Sequence, residues 1–490
     1  MSRTTTKITD FTKGMAADLR SSSGFARLQH FKAFPHRLVP QFGTIADETT
    51  TFGIKRFAFA PWSNAGAYDL FGLGNTAGHV YAAVYIKNGG GTSDPTTGGW
   101  TTPVNGEGTS GVSDSRIFFP YKNYLYFLFL GTELWRYGDL TGTPSISSFQ
   151  TIAYSNVAEP VHHPADDCAY FFFDNKVYRL NGTTWNGLVL TLPDNMIITS
   201  ADADGDYLHI ACKSKSGLGN SWSYKWDRDS SLSTVTAKVD WGRGDLLHIA
   251  KLQGTIVGVT DFFTSSILGH RTGKLVIKAV VGDVAKVVGE YPTTGLSFFD
   301  ANKYVSDDKL HFAAELARDG SFIHGVFSVD ALGQLRVEIS EAEADGSTQG
   351  QRYQGIFKTA EFWWLAHSND GSVNRTDDQN TYTYTSILET NIIGTPDVQS
   401  QFVGASVSFE PLPSGATVTL KCRKVGETNW TTIKAVTTTA ETKLYATKDS
   451  NSQARSFYEL QYRIESTGGA VITGLEWTHE TNDQKPYGRS

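Results

Sequence analysis

The sequence predicts an all-β chain: a β-propeller of about seven blades, with an extended N-terminal arm before it and a C-terminal β-sandwich after it. Three observations lead there. Charged residues make up only 19% of the 490, while aromatics reach 12% and glycines number 48, a balance that favours strands and turns over helices. A short aromatic or aliphatic run behind a polar turn recurs along most of the chain. Towards the C-terminus the pattern shifts to longer alternating strands. A chain of this length also exceeds what one core usually holds, about 250–300 residues, so more than one unit is expected.

The elements are taken in chain order. Residues 1–50 show few alternating runs and a Ser-rich patch at Ser21 to Ser23, and read as an extended arm. Within it "FARLQHFKAFPHRL" combines Phe and Leu with basic residues. Docking on a neighbouring surface would bury its apolar side chains, so Phe25, Leu28, Phe31, Phe34 and the Arg37-Leu38 pair are the candidate assembly interface.

Residues 51–391 carry the recurring strand: "AYDLFGL" from Ala67, "NYLYFLFL" from Asn123, "CAYFFF" from Cys168, "DYLHIA" from Asp206, "GTIVGV" from Gly254, "KLHFAA" from Lys309 and "EFWWLA" from Glu361. Their spacing of roughly 40–55 residues suits blades of four strands. Several are followed after a polar gap by a second strand, as in "ELWRYG" from Glu133 and "KVYRLNG" from Lys176, which is the expected meander. Residues 88–114 are Gly/Thr-rich and read as one long surface loop.

Residues 392–490 read as the sandwich. In "TVTLKCR", from Thr417, alternation points Val418, Leu420 and Cys422 to one face, and the preceding Pro411, Pro413 and Ser414-Gly415 force a chain reversal. "FYELQYRIES", from Phe457, alternates in the same way.

Charge and motifs narrow the function. A net charge of −7 supplies no positive field for nucleic acid or an anionic membrane. No run approaches the roughly 20 apolar residues of a membrane span, and "SRTTTKITDFTKG" after Met1 lacks the apolar core of a secretory signal, so a soluble protein made in a cytoplasm is expected. Cys168, Cys212 and Cys422 each lie in a strand-like apolar run, the setting of a buried thiol rather than of a disulfide framework.

"DADGD", Asp202 to Asp206, lacks the spacing of a calcium loop and reads as a turn. "HHPADD", His162 to Asp167, offers two imidazoles and two carboxylates, but adjacent strand residues face opposite ways, so His162 and His163 do not share a metal. A glycosidase would need two carboxyls about 5–10 Å apart, and a sialidase-type propeller would add clustered arginines and Ser-x-Asp-x-Gly-x-x-Trp turns, which are missing. "SNDGSVNRT", from Ser368, has the wrong spacing and reads as a hairpin turn. No nucleophile elbow, phosphate loop or Cys-x-x-Cys pair occurs. Trp100, Trp185 and Trp222 sit in or beside turns where a ring can face a sugar, although propeller aromatics usually pack between blades. No catalytic residue, metal ligand or cofactor site is expected.

In "GFARLQHFKAFPHRLVP" (from Gly24), "YLYFLFLGTELWRYGDL" (from Tyr124) and "ASVSFEPLPSGATVTLKCRKVGETNWTTI" (from Ala405), and in the order of its parts, the chain resembles a group of tailed-bacteriophage virion proteins. These have an N-terminal arm, a propeller-like domain and a C-terminal sandwich. The resemblance implies a non-enzymatic structural component of the tail, of nozzle, hub or adaptor-associated type, held in a homo-oligomer by arm and sandwich contacts. Its partners would be other virion proteins and copies of itself. The alternatives are a receptor- or glycan-binding tail protein meeting a host surface glycan and, behind it, a polysaccharide depolymerase using Asp166 and Asp167.

Overall fold

The computed structural model describes residues 2–11, 15, 25–41, 44–48, 54–62, 67–75, 82–87, 100–104, 117–128, 132–217, 219–231, 235–265, 271–293, 302–318, 321–341, 353–359, 362–367, 372–376, 382, 384–447 and 456–481. Every regular element among them is a β-strand, so the fold is all-β. Consecutive strands pair antiparallel in fours, beginning with Ile54–Trp62, Ala67–Asn75, Ala82–Lys87 and Trp100–Val104. Four-strand meanders follow from Phe118 to Thr151, from Val157 to Thr191, from Met196 to Arg243, from Asp245 to Val284–Thr293, and from Tyr304 to Glu341. A single parallel bridge, Asp240 to Val284, joins two of these meanders into an eight-stranded sheet.

The last set, Tyr353–Lys358, Trp363–His367 and Val373–Thr376, takes its fourth strand from the N-terminus, where Thr44–Glu48 pairs with Val373–Thr376. The leading strands of most successive sets lie against one another, Asp245–Leu252 meets Lys309–Arg318 of the set after it, and Tyr353–Lys358 also meets Ile54–Trp62. A meander succession that returns to its first member is a propeller-type arrangement, and closing it with a strand from the other end of the chain removes an open edge.

Burial on both faces explains why these strands read as continuous apolar runs. In Cys168–Phe173 all six residues are buried. Tyr170 and Phe172 pack with Leu208 and Trp226 of the following set. Ala169, Phe171 and Phe173 pack with Tyr126 and Leu128 of the preceding one. Alternation sends neighbours to opposite faces, but each face meets another sheet.

Residues 100–104 correct the long-loop expectation. Trp100–Val104 is a strand, with Trp100 only 7% exposed and its ring edge-on to Trp364 at 6.3 Å. The rest of 88–114 lies outside the described residues.

Two further sheets hold the C-terminal strands. One contains Ser400–Phe409, Lys443–Thr447 and Ile472–Thr481, and the other Ser386–Glu389, Thr417–Lys424, Thr431–Val436 and Glu459–Thr467. Val418, Leu420 and Cys422 are buried, as their alternation requires. Ser386–Glu389 already belongs here, paired with Glu459–Thr467, so these sheets begin before residue 392.

The described residues among the first fifty do not form a separate arm. Ser2–Ile8 pairs with Ile472–Thr481, with Thr4 opposite His479. Arg27–Gln29 pairs with Ser386–Glu389, and Phe31–Phe34 and Arg37–Pro40 form a hairpin whose Leu38 pairs with Ile472. Phe25, Leu28, Phe31 and Leu38 are at most 2% exposed, in one core with Leu310 and Phe327 of the ring and with Val418 and Tyr462 of the C-terminal sheets.

Of the candidate interface, Phe34 is partly exposed and Arg37 exposed, its guanidinium over the Phe34 ring at 5.5 Å. The buried four are therefore spent inside their own chain. An apolar segment covalently tied to the sheets it covers meets them at far higher effective concentration than it meets a neighbour.

Candidate functional site

The turn His162 to Asp167 joins Val157–His163 to Cys168–Phe173, and Asp167 takes the left-handed conformation, φ 51°, that lets the chain reverse. The side chain of His162 is 43% exposed and that of His163 is wholly buried, so the two imidazoles do face apart. The backbone N–H of Ala165 donates to His163 Nδ1 at 3.3 Å, which leaves Nε2 to donate to the Tyr207 carbonyl at 3.1 Å.

Asp167 accepts from His162 Nε2 at 3.0 Å and from the Lys122 ammonium, while the Tyr121 hydroxyl donates to the Asp167 carbonyl at 2.5 Å. Asp166 accepts from the Tyr170 hydroxyl at 2.6 Å and pairs with Arg228 at 3.1 Å. Burial pushes the Asp166 carboxyl up, but the Tyr170 hydrogen bond and the Arg228 charge outweigh it and hold it below the usual carboxylate range. A carboxylate held ionised by a fixed cation is a poor proton donor or acceptor near neutral pH. Lys122 and Tyr121 come from the preceding set, and Arg228 and Tyr207 from the following one. The turn is a tie across three sheets at the rim.

Asp202 and Asp204 of "DADGD" are likewise engaged: Asp202 accepts from the Lys251 backbone at 2.6 Å, and Asp204 stands 3.6 Å from the Lys251 ammonium. Among the described residues no group of three or more His, Cys, Asp or Glu is placed to hold a metal ion. The three cysteines are free and buried, and burial raises the Cys168, Cys212 and Cys422 thiols, the opposite of an activated nucleophile. Trp185 stacks on Tyr178 at 5.7 Å and Trp222 packs against the core around Tyr224, so both serve packing. No helix of the described residues is long and apolar enough to cross a membrane.

The leading strands of several sets enclose the more distinctive site, a cavity of about 310 Å³. Its walls are aromatic (Phe59, Phe118, Phe119, Tyr304 and Phe357), and Arg56, Glu159, Asn302 and Lys303 supply polar groups. Lys303 reaches across the ring: its ammonium donates to the carbonyls of Ala201 at 2.5 Å and Ile249 at 2.6 Å, and Asp202 lies 3.9 Å away. Its backbone N–H donates to Glu159 at 3.3 Å. Asn302 exchanges two hydrogen bonds of 2.9 Å with the Ile356 backbone.

One dipeptide therefore bridges the leading strands of four sets. Burial pulls the Lys303 ammonium down from the ordinary lysine range, against the Asp202 and Glu159 charges that support it. Sequence reading missed this pair. "NKY" before a short strand looks like any turn, and its partners lie about fifty to a hundred and fifty residues away.

No protein-family model matches the chain, and no curated protein is similar to it in sequence. Similar solved structures include BamB from Moraxella catarrhalis, 11% identical over 73% of this chain and 96% of that one, with a TM-score of 0.37. The β-propeller domain of Myceliophteria thermophila Cps50 (Swd1) is 10% identical, over 66% of this chain and 96% of that one, with a TM-score of 0.41. A chain of the Mitotic Checkpoint Complex is 11% identical, over 69% and 98%, with a TM-score of 0.39. The propeller assignment rests on the strand pairing described above and not on these likenesses.

Proposed function

We propose that the protein is a non-enzymatic structural component of a tailed-phage virion, placed in the tail as a nozzle, hub or adaptor-associated part. In this reading five four-stranded sheets and the two meanders of the eight-stranded sheet are the seven blades of a closed ring, and the two C-terminal sheets are the faces of a β-sandwich. The chain's two ends lock these units into one block, a form suited to load. The observation that carries an assembly role is an exposed apolar strip. Val281, Val284 and Val287 on one outer hairpin are 53–57% exposed, and Leu332 of the neighbouring turn is 72% exposed. Apolar side chains gathered on the rim of a closed block mark a surface that another protein covers.

Partners are then other virion proteins and further copies of this chain, with no call on nucleic acid, membrane or cofactor. The test is particle composition and assembly. Mass spectrometry of purified virions is expected to find the protein, and Val287→Glu is expected to fold normally yet fail to enter particles. Virions without the protein, or full incorporation of the folded variant, end the reading.

A recognition role has one specific observation behind it, the aromatic walls of the axial cavity, where Phe59 is 38% exposed. Saturable binding of the purified protein to host cells, lost in Phe59→Ala, would favour that role over architecture. The depolymerase reading has less behind it, since Asp166 and Asp167 are tied to cations. Absence of polysaccharide cleavage by the wild-type protein ends it.

A further inference from the structure

Away from the axis, the meander from Met196 to Arg243 and the one that follows it enclose a second cavity, of about 290 Å³. Its lining includes His209, Ser223, Lys225, Lys251, Gly254 and Asp283. His209 is only 4% exposed, and among the described residues its Nε2 has no hydrogen-bond partner. The Asp204 carboxylate stands 3.6 Å from it, beyond hydrogen-bond reach, and is also 3.6 Å from the Lys251 ammonium. Buried polar nitrogens are almost always satisfied, so an unsatisfied one on a residue that lines a cavity leaves a place for a ligand atom beside the long Asp204 contact.

Lys225 adds a second signal. Its ammonium sits 3.6 Å from the centroid of the Tyr207 ring and pairs with no carboxylate among the described residues. A ring face holds the cation in place without using its N–H groups as an acceptor would. Ser223 accepts a hydrogen bond from Trp241 Nε1 at 2.8 Å, so its own O–H remains a donor. The ammonium, the hydroxyl and the imidazole suit one carboxylate. Asp283 supplies an acceptor suited to hydroxyl groups. The volume is at the low end for ligand pockets and holds a single ring.

We propose that this inter-blade cavity binds an acidic monosaccharide unit of the uronic-acid type, its carboxylate on Lys225, Ser223 and His209 and its hydroxyls towards Asp283. The site goes beyond the architectural reading and is tested on the isolated protein, so its failure leaves particle composition untouched and the converse also holds.

The experiment is isothermal titration of the full chain with galacturonate, galactose and inorganic phosphate. Galacturonate is expected to bind, with galactose and phosphate each about tenfold weaker or more. Lys225→Met is expected to weaken galacturonate about tenfold or more with unchanged Tm and circular dichroism, and His209→Gln to weaken it less. Lys225→Gln takes the place of the Met variant if that chain does not fold. The assignment is overturned if galacturonate does not bind up to about 20 mM. Galactose or phosphate binding equally well, or a folded Lys225 variant keeping wild-type affinity, overturns it too.

Discussion

Residues 25–41 and residues 162–168 both stand out in the sequence as places where function could reside, and both turn out to hold the molecule together by opposite physics. The first does it with buried apolar side chains: Phe25, Leu28, Phe31 and Leu38 fill the seam between the ring and the C-terminal sheets. The second does it with charge at the rim, through Lys122, His162 and Asp167 on one side and Asp166 and Arg228 on the other. Burying an aromatic ring stabilises by several times what an exposed ion pair does, because water already solvates the separated ions. The difference teaches that the seam should govern stability while the rim sets how neighbouring sheets sit.

The strongest way to break this comparison is at the seam. Phe25→Ala leaves a cavity in a site 2% exposed and is expected to cost about 3–5 kcal/mol, read as a fall in the urea midpoint with unchanged slope. A loss no larger than that of a rim variant would contradict the ranking. Lys303→Met comes next and separates charge from burial, since this is a cation like those of the rim but inside the ring. Removing it strands Asp202 beside carbonyls that lose their donor, at a cost of about 3 kcal/mol.

Acid should weaken the seam. Burial holds His30 down at about 4, against 6.5 when free, so its contribution is complete above 6.5 and is lost as pH falls towards 4. On the facing strand burial opposes the Glu338 charge, but Lys309 at 3.2 Å and the Ser328 hydroxyl at 2.6 Å outweigh it and hold the carboxyl at about 2. Its contribution is present above about 4.5 and lost as pH falls towards 2, so the two effects have the same sign. The Tm is expected to drop by an amount worth about 2 kcal/mol between pH 6.5 and 4, and His30→Asn to flatten that part of the curve. Hydrogen exchange should show residues 25–41 losing protection first. Uniform exchange across the chain at pH 4 would contradict a separable seam.

The rim variants sharpen the lower end. Asp166→Asn, which leaves Arg228 only the more distant Asp206 carboxylate at 3.8 Å and weakens the Tyr170 hydrogen bond, is expected to cost about 1–2 kcal/mol. Asp167→Asn, whose side chain is 61% exposed, is expected to leave the urea midpoint unchanged within error. A large effect there would mean that the rim carries load after all.

Particular elements show what was legible. Cys168–Phe173 was, because six buried residues in a row between polar turns leave a strand covered on both faces as the natural reading. Val418, Leu420 and Cys422 were, because one buried face imposes a period of two. That His162 and His163 face apart followed from the same alternation. Trp100–Val104 was missed because Gly/Thr-rich flanks hide a strand whose pairing with Ala82–Lys87 supplies the hydrogen bonds. The N-terminal strands were missed because several run only three or four residues, too short to show a period, and, apart from the pairing within the Phe31–Pro40 hairpin, their partners lie hundreds of positions away.

The sequence by itself determined the local answer: where strands and turns fall, which side chains avoid water, and that no familiar catalytic signature is present. Only the tertiary structure decided partnership: that Thr44–Glu48 completes the last sheet of the ring, that Phe25 and Leu38 are core and not contact surface, and that Lys303 crosses the ring. The reason is physical. Alternation and turn chemistry are written within a few neighbouring residues. Apolar burial has no direction, and closing a longer loop costs only slightly more entropy, so nothing local tells a short strand which distant edge it will meet.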